Sequence, residues 1–299
     1  MTDIERVGVV GCGLMGAGIA EVCARAGVPV TVVERDAEAA RTGLLRITRS
    51  LDRAAAHGRL TAQERDAVTA LITVTDEIEA LSDHDLVIEA VAEDEALKLD
   101  VFARLDSVVT GDRTILATNT SSIPVIRLAA ATGRPDRVVG VHFFNPVPVL
   151  RLVELVPSLL TSPTTAARAE AFVTTTLGKE VVRTRDKAGF VVNALLVPYL
   201  LAAVRMVESG SATVEDVDRG MVLGCAHPLG PLALTDLIGL DTTRAIAESL
   251  YAEFREPQYS PPPLLSRMVE AGLLGRKSGR GFHTYDEQHR EGATAARPR

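Results

Sequence analysis

The sequence predicts an α/β protein in which a doubly wound sheet is followed by an all-helical C-terminal domain. In the first half, short runs of Val and Ile alternate with longer stretches rich in Ala, Leu, Arg and Glu. Fully apolar strands separated by helices are typical of a parallel sheet covered on both faces. Beyond about residue 186 the strand-like runs stop, and helical periodicity continues between clusters of Gly and Pro.

The predicted elements follow from these patterns in chain order. Strands are predicted at Val7–Val10, Val28–Val33, Leu86–Ala90, Thr114–Ala117 and Val138–His142. Helices are predicted in the first half over 14–26, 37–57, 61–70, 94–109 and 122–131, and in the second half over 188–210, 213–224, 231–250 and 263–272. The predicted domains are therefore residues 1–186 and 187–285, and residues 286–299 are expected to be a disordered tail.

Composition excludes several classes of protein. The net charge of −7 over 299 residues argues against a nucleic-acid partner held by a broad basic surface. The longest apolar run, Ala194–Val204, is too short to span a membrane and contains Pro198. The three cysteines, Cys12, Cys23 and Cys225, show no metal-binding spacing, and we expect reduced thiols in a cytoplasmic protein without a signal peptide.

A glycine-rich turn follows the first strand and opens a helix. It reads Gly11-Cys12-Gly13-Leu14-Met15-Gly16. In this pattern Gly11 permits a tight turn, Gly13 lets a pyrophosphate approach the backbone, and Gly16 lets the helix pack on the strand. The free N–H groups at the helix N-terminus then face the phosphate charge. The turn predicts a Rossmann-type dinucleotide site.

The second strand strengthens this prediction because it is followed by an acid. Glu34 lies 18 residues after Gly16, where a carboxylate accepts the ribose hydroxyls of a bound dinucleotide. A carboxylate there repels the 2′-phosphate of NADP and favours NAD. The neighbouring Arg35 would attract that phosphate, so NADP remains an alternative.

One predicted helix is basic, although the chain as a whole is acidic. Its five arginines are Arg41, Arg46, Arg49, Arg53 and Arg59. On a helix, Arg46, Arg49 and Arg53 share one face. The pattern is that of a solvated surface, and it also suits a dock for a polyanion such as the phosphates of coenzyme A or an acidic carrier protein.

Three polar segments lie where catalytic groups are expected in an open α/β sheet, at the carboxyl ends of strands. They are Asn119–Ser122, His142–Pro146 and Glu154, which lies in the apolar run Leu150–Val156. A histidine paired with a carboxylate suits removal of an alcohol proton. The alternative is a strand-end His142 and a Glu154 that reaches solvent. Of the other histidines, His57, His84, His283 and His289 are expected to face solvent and His227 to be a packing or loop residue.

Several longer motifs resemble the 3-hydroxyacyl-CoA dehydrogenase family, above all its stand-alone bacterial members. The similarity runs from about Val7 to Tyr285 and includes the glycine-rich turn, Glu89–Glu93, Asn119–Ser122, His142–Pro148, Lys187–Asn193, Gly230-Pro231, Asp236–Asp241 and Lys277–Phe282. The resemblance implies oxidation of short 3-hydroxyacyl-CoA with NAD, a helical domain that dimerises, and a role in fatty acid metabolism.

The resemblance also implies roles for individual residues. His142 would be the general base, paired with Glu154, while Ser121 and Asn193 would hydrogen-bond the reacting oxygen. The implied NAD contacts, beside Gly11, Gly13, Leu14, Met15 and Gly16, are Glu34, Glu93, Lys98, Ser121, Asn145 and Lys277. Ser50 matches a serine that contacts CoA, but His57 stands where the family often has a lysine, so Arg53 or Arg59 is expected to meet the CoA phosphates.

Two other functions fit parts of the pattern. A Gly-Leu-Met-Gly turn also occurs in β-hydroxyacid dehydrogenases, which act on free acids through a lysine rather than a histidine–glutamate pair. A structural or regulatory NAD-binding protein would keep the turn, but it would have no need for Ser121, His142, Glu154 and Asn193 together.

Overall fold

The structure is a computed structural model that describes residues 3–286. The chain divides into two compact units, the first ending at Lys187 and the second beginning at Ala188. Apart from Asp286, the tail predicted to be disordered lies outside the described residues.

The first unit contains one eight-stranded sheet with helices. Its strands are β1 (Val7–Val10), β2 (Val30–Val33), β3 (Ile72–Thr75), β4 (Leu86–Glu89), β5 (Ile115–Thr118), β6 (Val138–Phe143), β7 (Leu152–Pro157) and β8 (Glu180–Arg183). Its helices are α1 (Leu14–Arg25), α2 (Ala37–Ala56), α3 (Ala62–Ala70), α4 (Glu95–Val108), α5 (Val125–Ala130) and α6 (Pro163–Ala171). The central strands β1, β4, β5 and β6 are buried along their whole length, as expected for a sheet covered on both faces.

The strand order is β3-β2-β1-β4-β5-β6-β7-β8. Strands β1 to β6 are parallel, and the order reverses direction at β1, which lies between β2 and β4. Ligands of open α/β sheets bind outside the carboxyl ends of the strands at such a switch point. Strand β7 returns antiparallel to β6, and β8 is parallel to β7.

Three strands and one helix were not predicted from the sequence. Strands β3 and β8 are edge strands of four residues that are only partly buried; β3 contains two threonines, and β8 begins and ends with a charged residue. Strand β7 contains Glu154, and this acid interrupts the apolar run that would otherwise have indicated a strand. Helix α6 begins with Ser162 as its N-cap and Pro163 in its first turn, a helix-start signal that the sequence interpretation did not use.

The second unit is helical, as predicted. It contains α7 (Val192–Glu208), α8 (Val214–Cys225), α9 (Pro231–Ile238), α10 (Leu240–Phe254) and α11 (Pro263–Glu270) around a core of its own. The single helix predicted over 231–250 was wrong, because Gly239 has a φ of +102° and separates α9 from α10. None of the helices within residues 3–286 combines the length and apolarity needed to cross a lipid bilayer.

Candidate active site

The glycine-rich turn joins β1 to α1 at the switch point of the sheet. Gly11 has a φ of +92°, a left-handed conformation that favours glycine. A Cβ atom at Gly16 would lie 1.9 Å from the carbonyl oxygen of Gly11, so α1 can pack on the turn only with glycine at this position. Gly13 is exposed, and a Cβ atom there would meet no atom within 4 Å. The turn therefore leaves space for a pyrophosphate at Gly13, beside the first N–H groups of α1.

The second residue of the turn, Cys12, is held on three sides. Its N–H donates to Glu34 Oε1 at 2.6 Å, and its carbonyl oxygen accepts a hydrogen bond from the Arg46 guanidinium. Its side chain packs against Gly43, where a Cβ atom would lie 2.7 Å from the cysteine Sγ. Glu34 therefore lies directly at the turn. The guanidinium of Arg46 on helix α2 therefore contacts the turn. Neither of the two interpretations of the basic helix included this contact.

His142 and Glu154 form a buried pair at the carboxyl edge of the sheet. They lie directly opposite each other in the antiparallel register of β6 and β7, so both side chains project from the same face. The His142 Nδ1 atom lies 2.8 Å from Glu154 Oε2, and the side chains are 8% and 0% exposed. The alternative in which Glu154 reaches solvent is thus wrong. A buried carboxylate needs such a partner, because desolvation of an unpaired charge is costly.

Ser121 lies beside a second carboxylate at the same edge of the sheet. Glu93 Oε1 accepts hydrogen bonds from Thr120 Oγ1 at 2.5 Å, from the Ser121 N–H at 2.9 Å and from Ser122 Oγ at 2.8 Å. The Lys98 ammonium lies 3.3 Å from Glu93 Oε2. Burial raises the pKa of the Glu93 carboxyl, but Lys98 and these hydrogen bonds outweigh it and hold the pKa below its usual value.

Beneath this cluster lies a fully buried ion pair that the sequence interpretation missed. Glu89, the last residue of β4, accepts a 2.6 Å hydrogen bond from Lys98 Nζ, and the two side chains are 0% and 1% exposed. Its other oxygen accepts a 2.7 Å hydrogen bond from Thr118 Oγ1 on β5. Glu89 fixes the ammonium that Glu93 also contacts. In the sequence, the signal for this ion pair is an acid at the end of an otherwise apolar strand.

The remaining predicted site residues lie on other elements. Asn145 is exposed just after β6, and α2 carries Ser50, which is half-buried, and Arg53, which is exposed. In the helical unit, Asn193 lies in the first turn of α7. Lys277 Nζ lies 2.6 Å from a carboxylate oxygen of Asp241. The structure therefore brings His142 to Glu154 and Ser121 to Glu93, and it places the predicted CoA contacts Ser50 and Arg53 on α2.

One prediction for the other histidines was wrong. His84, which precedes β4, is only 6% exposed, and burial lowers its pKa. His57 is exposed as predicted. His283 is half-buried, with its Nε2 atom 2.8 Å from Asp218 Oδ2. His289 lies beyond the residues that the structure describes.

Comparison with known proteins defines the family. Residues 6–187 match the family model described as 3-hydroxyacyl-CoA dehydrogenase, NAD binding domain, and residues 189–285 match the model for the C-terminal domain of the same enzyme. A 3-hydroxybutyryl-CoA dehydrogenase of Mycobacterium tuberculosis is 61% identical over 286 residues, which cover 95% of this chain and 100% of the relative.

Solved structures show the same likeness. The crystal structure of M. tuberculosis FadB2 matches with a TM-score of 0.94 at 61% identity, covering 95% of this chain and 99% of the other. That of (S)-3-hydroxybutyryl-CoA dehydrogenase from Ralstonia eutropha matches with a TM-score of 0.90 at 45% identity, covering 95% and 100%.

The fold and the comparisons together define an NAD-dependent dehydrogenase with a Rossmann-type domain followed by a helical domain. The chain belongs to the 3-hydroxyacyl-CoA dehydrogenase family. This confirms the fold class and the resemblance predicted from the sequence.

Proposed function

We propose that this enzyme interconverts (S)-3-hydroxyacyl-CoA and 3-oxoacyl-CoA with NAD(H), and that 3-hydroxybutyryl-CoA is its preferred substrate. The observation that carries the proposal is the buried pair of His142 and Glu154 at the carboxyl edge of an NAD-binding sheet. The preference for a four-carbon chain is supported by the name of the M. tuberculosis relative at 61% identity.

In this proposal His142 is the general base for alcohol oxidation. A carboxylate only accepts hydrogen bonds, so the Nδ1 atom carries the proton donated to Glu154, and Nε2 takes the proton of the 3-hydroxyl group. Glu154 fixes this tautomer and stabilises the imidazolium that forms. NAD, when bound, accepts the hydride from C3. In the reverse direction Nε2 returns the proton to the 3-oxo oxygen.

The NAD-contacting residues are assigned by position and by the fit of the turn. Gly11, Gly13, Leu14, Met15 and Gly16 would surround the pyrophosphate, Glu34 the ribose, and Glu93, Lys98, Ser121, Asn145 and Lys277 further parts of the cofactor. NAD is favoured over NADP because the Glu34 carboxylate would repel a 2′-phosphate. Arg35 would attract this phosphate, but its guanidinium lies 3.1 Å from the Asp36 carboxylate. The negative charge of Asp36 offsets part of the positive charge of Arg35.

The substrate contacts rest on the family resemblance. Ser121 and Asn193 would hydrogen-bond the reacting oxygen, and Ser50 would contact the CoA moiety. Arg53 is exposed on α2 and is suited to the CoA phosphates. A carrier-protein thioester would use the same arginine, so comparison of the two thioesters forms part of the test.

We also propose a cytoplasmic homodimer formed through the helical unit, residues 187–285. Its large apolar side chains Leu195 and Leu223 are 73% and 71% exposed, and contact with a second chain would remove this apolar surface from water. Cys12, Cys23 and Cys225 are all free thiols, which agrees with a reducing compartment.

The test is the oxidation of NADH with acetoacetyl-CoA, compared with longer 3-oxoacyl-CoAs, an acetoacetyl carrier protein and free acetoacetate, and repeated with NADPH. We expect activity on the CoA thioester with NADH and none on the free acid. His142→Ala should bind NADH normally but lose about a hundredfold or more of kcat. Activity with free acetoacetate alone would favour the β-hydroxyacid dehydrogenases. Wild-type kcat in His142→Ala would refute the assigned base.

A further inference from the structure

Lys179 is a buried lysine that none of the steps above uses. It directly precedes β8 and is 8% exposed. Its Nζ atom donates hydrogen bonds to two main-chain carbonyl oxygens, at 2.7 Å to Val147 and at 2.6 Å to Leu150. Burial lowers the pKa of this ammonium. Burial of a charged group is costly even when carbonyl groups accept its hydrogen bonds. The segment that carries these two carbonyl groups therefore indicates what Lys179 stabilises.

The two carbonyl groups belong to the segment that joins His142 to Glu154. Strand β6 ends at Phe143 and β7 begins at Leu152, so residues 144–151 form the β6–β7 loop. The N–H groups of residues 149 and 150 both donate to the carbonyl oxygen of Pro146 at 2.9 Å, which leaves the loop as a compact turn. Lys179 fastens this turn from the side of β8.

The same loop packs on the helix that begins at the glycine-rich turn. Val147 is 2% exposed, and a Cβ atom at Gly18 of α1 would lie 2.9 Å from its Cβ atom. The carbonyl oxygen of the same Val147 accepts the hydrogen bond from Lys179. Val147 therefore links the ammonium at the start of β8 to helix α1 through the β6–β7 loop.

We propose that Lys179 is a positioning residue: by holding the β6–β7 loop against α1, it sets the distance between the His142–Glu154 pair and the nucleotide-binding helix. The proposal rests on the function proposed above. It follows from connectivity, because the loop joins the strand that carries the base to the strand that carries its carboxylate partner, and Val147 in the loop contacts α1. Displacement of reacting groups by about 1 Å costs on the order of a hundredfold in rate.

Lys179→Met is the direct test, because it keeps the apolar stem and removes both hydrogen bonds. We expect kcat with NADH and acetoacetyl-CoA to fall at least tenfold, while the Kd for NADH stays within threefold of wild type. The kinetic isotope effect with deuterated NADH should increase, because hydride transfer becomes more fully rate-limiting. Lys179→Arg keeps the donors and should recover part of kcat.

Two further variants keep the test decisive if Lys179→Met folds poorly. Gly18→Ala acts on the same contact from the side of α1, because its Cβ atom would force Val147 away, and it should give the same split between kcat and Kd. Arg183→Met is the matched control. It is the last residue of β8, the strand that Lys179 precedes, its side chain is 59% exposed, and the variant should behave as wild type.

Hydrogen exchange of the peptide spanning residues 144–151 gives a readout that does not depend on activity. Faster exchange in Lys179→Met than in Arg183→Met, together with the kcat loss, supports the proposal. Unchanged exchange, a wild-type kcat, or a loss of NADH binding equal to the loss of kcat would overturn it. If the wild-type enzyme does not reduce acetoacetyl-CoA, the proposed function fails, and unchanged exchange still rejects the role of Lys179 separately.

Discussion

At the scale of single residues, the chemistry depends on the negative charge of Glu154. In Glu154→Gln, an amide oxygen can still accept the hydrogen bond from Nδ1 of His142, but it cannot stabilise the imidazolium that forms after proton transfer. We expect kcat to fall by roughly tenfold to a hundredfold, which is no more than the lower end of the contribution of about 10²–10⁴ that general acid–base catalysis makes.

Steady-state kinetics and NADH titration measure this effect, with NADH affinity expected to be unchanged. Glu180→Gln on the neighbouring strand β8 is the control, because its carboxylate is 67% exposed and pairs with Arg151. Equal kcat values in the two variants would contradict the role given to Glu154.

A second residue-scale prediction concerns Glu93 and pH. Because its pKa is lower in the folded protein than its usual value of 4.5, the ionised form stabilises the fold. This contribution is fully present above about pH 4.5 and is lost as the pH falls through the folded-state pKa. Glu93→Gln should therefore lower the free energy of unfolding at pH 7, and its difference from wild type should shrink below pH 4.5.

Urea unfolding at a series of pH values between 7 and 3.5 tests this prediction. Glu79→Gln, an exposed carboxylate outside the cluster, is the matched control and should show no such narrowing. A difference between wild type and Glu93→Gln that stays constant with pH would exclude the electrostatic explanation.

At the scale of elements, buried central strands were predictable and edge elements were not. β1, β4, β5 and β6 are fully buried, so their sequences are mostly apolar runs. Strand β8 reads EVVR and is mostly exposed, so its pairing with β7 depends on tertiary contacts that short patterns do not record. The pairing of His142 with Glu154 required a register, which the sequence spacing alone does not specify.

Two glycines of the glycine-rich turn, Gly13 and Gly16, are expected to respond differently to substitution by alanine. Gly13→Ala should leave the free energy of unfolding unchanged, because a Cβ atom there meets nothing within 4 Å and φ is −63°. The new methyl group would occupy the space proposed for the pyrophosphate, so the Kd for NADH should rise at least tenfold. Gly16→Ala should instead destabilise the first unit by about 1–3 kcal/mol, as overpacking typically does.

Fluorescence titration of NADH and urea unfolding of both variants separate these effects. If Gly13→Ala binds NADH as tightly as wild type, the pyrophosphate does not approach the turn at this residue. If Gly16→Ala unfolds with the wild-type free energy, α1 does not need to pack as closely on the turn as the 1.9 Å approach indicates.

At the scale of the whole molecule, the sequence predicted the two-part architecture because the two parts differ in period. Strand runs end before the helical unit begins, and this change of pattern is visible without any structure. The sequence does not predict whether chains assemble. An apolar residue on an amphipathic helix gives the same sequence pattern whether it faces its own core or a second chain. The exposed fractions of Leu195 on α7 and Leu223 on α8 show that these two side chains do not lie in the core of their own unit.

The proposed homodimer is tested by charging these two positions. Leu195→Glu and Leu223→Glu should shift the protein in sedimentation velocity from the mass of two chains to that of one, because a carboxylate buried in an apolar interface without a partner is strongly unfavourable. Leu159→Glu is the control, since Leu159 is 95% exposed but belongs to the first unit, and it should remain dimeric. Dissociation by Leu159→Glu alone would move the interface to the sheet unit, and a single-chain mass for the wild type would exclude the dimer.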